Sequence, residues 1–201
     1  MNDVTMPALD RPGAGLPKVE LAVARLLFRW SRMTESPVVF RQRFLTERAQ
    51  VRSLVDACPC GRRGEPVLIE RVRGLEDSSR FWSVWMTLDH LRIVHTSVVG
   101  IIRTLEAGKV PAGEASTAAV KPSPAVGAEV EAAYEASCEG VLAMLNQTGE
   151  CRSGVRFAHP WFGPLDARGW RALAGTHLRV HRIQLERILG RFPPECARGR
   201  G

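Results

Sequence analysis

The chain has 201 residues, 45% hydrophobic and 24% charged. That is enough to bury a core without disulfide staples and too evenly polar for a membrane protein. No window approaches the roughly 18 uninterrupted apolar residues of a spanning helix. The start M-N-D-V-T-M-P-A-L-D lacks the basic and apolar regions of an export signal, so a cytoplasmic protein with no membrane partner is expected.

Net charge is +7, carried mainly by scattered arginines, with lysine only at Lys18, Lys109 and Lys121. No helix-turn-helix, zinc-finger or RNA-binding motif gives that charge a geometry. A solvated arginine-rich surface accounts for it, and no nucleic-acid partner is expected.

Residues 1–17 carry three prolines and two glycines without periodicity and read as a loose tail. From Lys18 to Met33 the apolar residues Val19, Val23, Leu26, Leu27, Trp30 and Met33 recur at three- and four-residue steps, which predicts a helix. Pro37 interrupts it or opens a second helix, whose apolar face is Phe40, Phe44, Val51, Leu54, Val55 and Cys58. Residues 58–74 hold three glycines and two prolines around V-L-I-E-R-V and predict a loop with a brief extended segment.

The clearest helix spans 78–106, with the seam Val84, Leu88, Leu91, His95, Val98, Ile102 and Leu105, a bundle pattern. Residues 107–127 have almost no bulky side chains and read as a flexible crossover within one domain. A third helix over 128–146 turns Val130, Tyr134, Ser137, Val141, Met144 and Leu145 inward. After an irregular connection, Asp166 is placed to cap a last helix that runs to Leu189, before Gly190 and Pro193-Pro194 stop it. The expected fold is all-α: four main helices spanning 18–190 with an extra or broken one near the N-terminus, and a short tail over 191–201.

The five cysteines, Cys58, Cys60, Cys138, Cys151 and Cys196, are odd in number and irregularly spaced, which argues for free thiols. Cys58-Pro59-Cys60 looks like half of a zinc knuckle without its other half and reads as a loop.

Candidate chemistry concentrates in T-H-L-R-V-H-R-I-Q-L-E-R-I-L, residues 176–189. His177 and His181 stand one helical turn apart, about 5–6 Å at Cβ, close enough to share a metal ion. With Gln184 they form three consecutive polar steps on the seam Trp170, Leu173, His177, His181, Gln184 and Ile188. A buried polar row needs something to satisfy it, and a metal on neutral imidazole nitrogens would do so. A wet helix edge is the alternative. For a third ligand, the helical wheel of 78–106 sets His95 near the centre of the apolar stripe and His90 on its flank. Geometry alone mildly prefers His95 and leaves the choice open.

These segments resemble the DinB-like superfamily, also called the YfiT-like metal-dependent hydrolases, over about residues 40–190. The pattern W-s-v-x-x-x-l-x-H is matched by Trp82, Ser83, Val84, Leu88 and His90. The terminal pattern is matched by His159-Pro160, Gly163, Leu165, Trp170, His177, His181 and Gln184. The resemblance implies a four-helix bundle and a metal triad of His90, His177 and His181, with His95 left as a bonded core histidine. His159 then reads as a pocket or acid/base residue, or as a structural turn. Zn or Ni is the expected divalent ion.

Three neutral ligands leave a position open on a tetrahedral ion, where water or a thiol becomes a nucleophile. The resemblance implies a thiol S-transferase or hydrolase acting on a small molecule, with a low-molecular-weight thiol as partner and arginines available for its carboxylates. Tyr134, Glu135 and Ser137 fit a pocket, the packing or the surface equally well. The alternative is a non-enzymatic bundle that holds a metal or forms a homodimer through the 78–106 helix.

Overall fold

The computed structural model describes residues 7–147 and 154–193. Five helices dominate it: α1 Lys18–Thr34, α2 Pro37–Ala57, α3 Val84–Glu106, α4 Glu129–Asn146 and α5 Ala167–Leu189. Two small antiparallel pairs accompany them. β1 Val67–Leu68 pairs with β2 Phe81–Trp82, and β3 Phe157–His159 pairs with β4 Gly163–Leu165. The expected all-α class holds, with α2 to α5 as the bundle and α1 as the additional helix.

Helices α2, α5, α3 and α4 touch in cyclic order, α4 closing back onto α2. Their apolar faces meet in one core that includes Phe40, Phe44, Val51, Leu88, Ile102, Val141, Met144, Leu178, Leu185 and Ile188. Local chemistry starts the helices where it should. Ser36 and Pro37 open α2, and Asp166 caps α5 by accepting from the Gly169 N–H at 2.8 Å. At Gly175 a Cβ would stand 3.2 Å from the Phe44 backbone nitrogen. The missing side chain thus lets α5 lie tightly against α2, two residues before His177.

The 78–106 helix begins later than expected. Ser83 accepts from Met86 N–H as its N-cap, while Phe81 and Trp82 are extended and paired with β1. The α3 seam from Val84 to Leu105 is buried throughout.

Helix α1 departs from the ordinary pattern. Val19, Val23, Leu26, Leu27, Trp30 and Met33 are 51–79% exposed, so the periodic apolar face points outward. The opposite side seats Phe28 on the Phe162 ring at 4.4 Å. Polar contacts complete the attachment, with Glu20 to Arg71 and to the Gly74 N–H, Arg25 to the Trp161 carbonyl, and Arg168 to the Arg32 and Glu35 carbonyls.

Two segments expected to be slack are fastened. In the N-terminal segment, Asp10 N–H donates to Asp77, Gly13 N–H donates to Glu76, and Leu16 is buried. The crossover 107–127 forms no helix or strand, yet it crosses the bundle with specific contacts. Thr117 donates to Glu76, Lys121 to Ser78 and Ser79, and the Ser123 N–H to Asp89. Many arginines also pin elements together. Arg48 and Arg52 share Glu135 across α2 and α4, and Arg171 pairs with Glu106 across α5 and α3.

Cys60 and Cys138 are free thiols and Cys58 is buried; Cys151 and Cys196 lie outside the described residues, as does most of the 191–201 tail. The segment around Cys58-Pro59-Cys60 is the end of α2 and a short 3-10 turn.

Candidate metal centre

The site is built by α3, α5 and the crossover. On α5, one turn of helix separates His177 from His181, and the ring nitrogens meet, Nε2 to Nε2, at 3.2 Å. From α3, His90 brings its own Nε2 to 3.2 Å from that of His177. The three ring centroids lie 4.5–5.1 Å apart. Among the described residues this is the single group of three or more metal-type side chains able to hold one ion, with donor atoms all within 4.8 Å of each other.

The far side of each ring shows what the near side must be. His90 Nδ1–H donates to the Val120 carbonyl at 2.7 Å, and His181 Nδ1–H donates to Gln184 Oε1 at 2.7 Å. Gln184 cannot flip without loss, because its Nε2 donates to the Ser79 carbonyl at 2.8 Å. Both histidines therefore carry their proton on Nδ1 and aim a bare lone pair at His177. One proton on His177 Nε2 can satisfy only one of them, and His177 Nδ1 is buried without a partner. Three lone pairs converging on one point are what a cation satisfies, so the donor set fits a divalent ion that accepts imidazole nitrogen.

Electrostatics agree. Burial pushes His90 down to about 4. His177 and His181 fall well below the ordinary histidine value, first by burial and then by repulsion from the neighbouring rings. All three are thus neutral at pH 7, the state in which a ring nitrogen can bind metal.

His95, five residues along α3, takes the other role. Its Nδ1 lies 3.0 Å from Ser137 Oγ, whose hydroxyl donates to the Tyr134 carbonyl. Phe44 packs on its ring at 5.3 Å. It is a core histidine on the α4 side, and the mild preference of the helical wheel for it as third ligand does not survive. Ser137 serves His95, Tyr134 is buried, and Glu135 is held in surface ion pairs.

The triad lies in a cavity of about 350 Å³. His159 lines it from the β3–β4 hairpin, whose turn is closed by Gly163 at φ 69°. The Trp161 N–H donates to His159 Nδ1 at 3.1 Å, so His159 builds the turn and also borders the cavity. Burial lowers it to about 4. It is therefore a neutral ring with its proton on Nε2, able to donate a hydrogen bond.

Sequence reasoning missed the wall that the crossover supplies, including Pro111, Ala115, Val120 and Lys121. It also expected arginines to serve a substrate carboxylate, and among the described residues no arginine lines the cavity.

The profile of the DinB superfamily matches residues 18–185. The chain belongs to the DinB superfamily. Comparison with curated proteins and with solved structures gave no match. No helix among the described residues is long and apolar enough to cross a membrane. Family membership and the triad together make this a DinB-like bundle with a histidine cluster that could bind a metal ion.

Proposed function

We propose that this DinB-like protein is a metal-dependent enzyme that activates a thiol or a water against a small molecule, with thiol S-transfer as the leading reaction. The observation that carries the reading is the convergence of three Nε2 lone pairs, from His90, His177 and His181, in a substrate-sized cavity. A divalent ion held there, Zn or Ni in this reading among the ions that imidazole accepts, would supply Lewis acidity and lower the pKa of a thiol or water brought to it.

The chain's own residues do the rest. Val120 and Gln184 lock the tautomers of His90 and His181, and Ser79 locks Gln184. Burial keeps the rings neutral, so the lone pairs stay available at pH 7. His159 offers an Nε2–H at the cavity wall, suited to orienting a substrate oxygen rather than delivering a proton, because its own charged form is suppressed.

The test is elemental analysis of protein purified without chelators, beside His90→Ala and His177→Ala. The wild type is expected to hold about one divalent ion per chain and each variant close to none. Loaded wild type should consume a thiol in the presence of an electrophile, and the variants should not. Equally little metal in all three proteins would overturn the reading.

A further inference from the structure

The cavity around the triad has a chemistry of its own. Val94, Val98 and Ile101 of α3 line it together with Trp161, Trp170 and Leu173. Three charged side chains border it: Glu76, Glu114 and Lys121. Lys121 is the one cation among the lining residues, and its ammonium is already committed. It lies 2.8 Å from Ser78 Oγ, 2.8 Å from Ser79 Oγ and 3.3 Å from Glu76 Oε2, which uses all three of its donors. Glu76 is likewise filled, by Thr117, the Gly13 N–H and Lys121. The pair cancels in charge, and Glu114 is exposed on the crossover.

Apart from an ion held on the triad, a carboxylate entering this cavity would give up its hydration and find no uncommitted cationic side chain or arginine fork among the lining residues. An apolar body entering it would gain about 25 cal/mol for each Å² removed from water. We propose that the cavity takes an uncharged molecule with an apolar body. Any thiol co-substrate bearing carboxylates must keep them outside. This inference rests on the reading above for the reaction but not for the binding preference, which the walls set by themselves.

Trp161 and Trp170 line the cavity, so their fluorescence reports occupancy. Zinc-loaded protein is titrated with hexane-1-thiol and with 6-mercaptohexanoate, and metal-stripped protein with hexan-1-ol and hexanoate. In both forms the uncharged probe should bind at least tenfold more tightly than its carboxylate analogue. Ile101→Lys, which places a cation on the half-buried wall, should shrink or reverse that ratio. Carboxylate probes that bind as tightly as the uncharged ones to wild type would overturn the proposal, even with the metal in place. A tenfold preference in a protein that binds no metal would uphold it while removing the enzymatic reading.

Discussion

Helices α1 and α5 pack against each other and reverse the usual placement of polar and apolar surface in opposite directions. Helix α1 turns six large apolar side chains outward, 51–79% exposed. Helix α5 turns His177, His181 and Gln184 inward, Gln184 fully buried. Either reversal costs free energy unless something offsets it. On α5 part of the compensation is visible atom by atom: both ends of Gln184 and the His181 Nδ1–H are bonded, which leaves the converging Nε2 atoms to a cation and His177 Nδ1 buried without a partner. On α1 no described residue covers the stripe. The point where the three ring nitrogens converge is the candidate site.

The largest expected effect separates the two helices by acid. His90 and His159 sit at about 4 and His95 at about 3, with His177 and His181 also well below the ordinary value. As pH falls below about 6.5, the unfolded chain gains protons that the folded one refuses. Metal-free protein should therefore lose up to about 1.4 kcal/mol per pH unit for each such histidine, until the folded values are reached. Urea melts between pH 7 and 4.5 measure this, and a flat profile would mean that the α5 row is not buried as neutral rings.

Next in size, His177→Ala should abolish stoichiometric metal binding, whereas His95→Phe should retain it, read by elemental analysis. If both lose metal, the division of roles along α3 is wrong. Phe28→Ala, beneath α1, should cost about 3–5 kcal/mol in denaturant melts, because Phe28 is 6% exposed and stacked on Phe162. Gln184→Leu keeps the three ligands but frees the His181 ring, and metal affinity should drop about 10- to 100-fold. Smallest of all, Trp30→Ser on the outer face of α1 should change stability by no more than about 0.5 kcal/mol. A cost like that of Phe28→Ala would show that the stripe is covered in solution.

Much of this was legible in the residues. The i, i+4 pair His177 and His181, the polar continuation at Gln184 and the Asp166 cap all stand in one continuous helix, where spacing alone sets the face. His90 against His95 was not legible from periodicity, because both lie on or beside one stripe of α3 and the wheel says nothing about which neighbour each side meets. In the structure His95 meets Ser137 on α4 and Phe44 on α2, while His90 meets α5 and the crossover. The crossover was unreadable for a different reason. Two of its contacts beside the triad are backbone groups, the Val120 carbonyl on His90 and the Ser123 N–H on Asp89, and a backbone group leaves no trace in side-chain pattern.

By itself the sequence determined the main helices, the Asp166 cap and the ligands that share a single helical turn, since 3.6-residue geometry and capping act over a few neighbouring positions. The tertiary structure alone decided that α1 shows its apolar stripe to solvent and that His90 completes the triad. It also decided that the crossover walls the cavity around the triad. Each depends on which distant elements come to lie side by side, and spacing along one helix cannot say that.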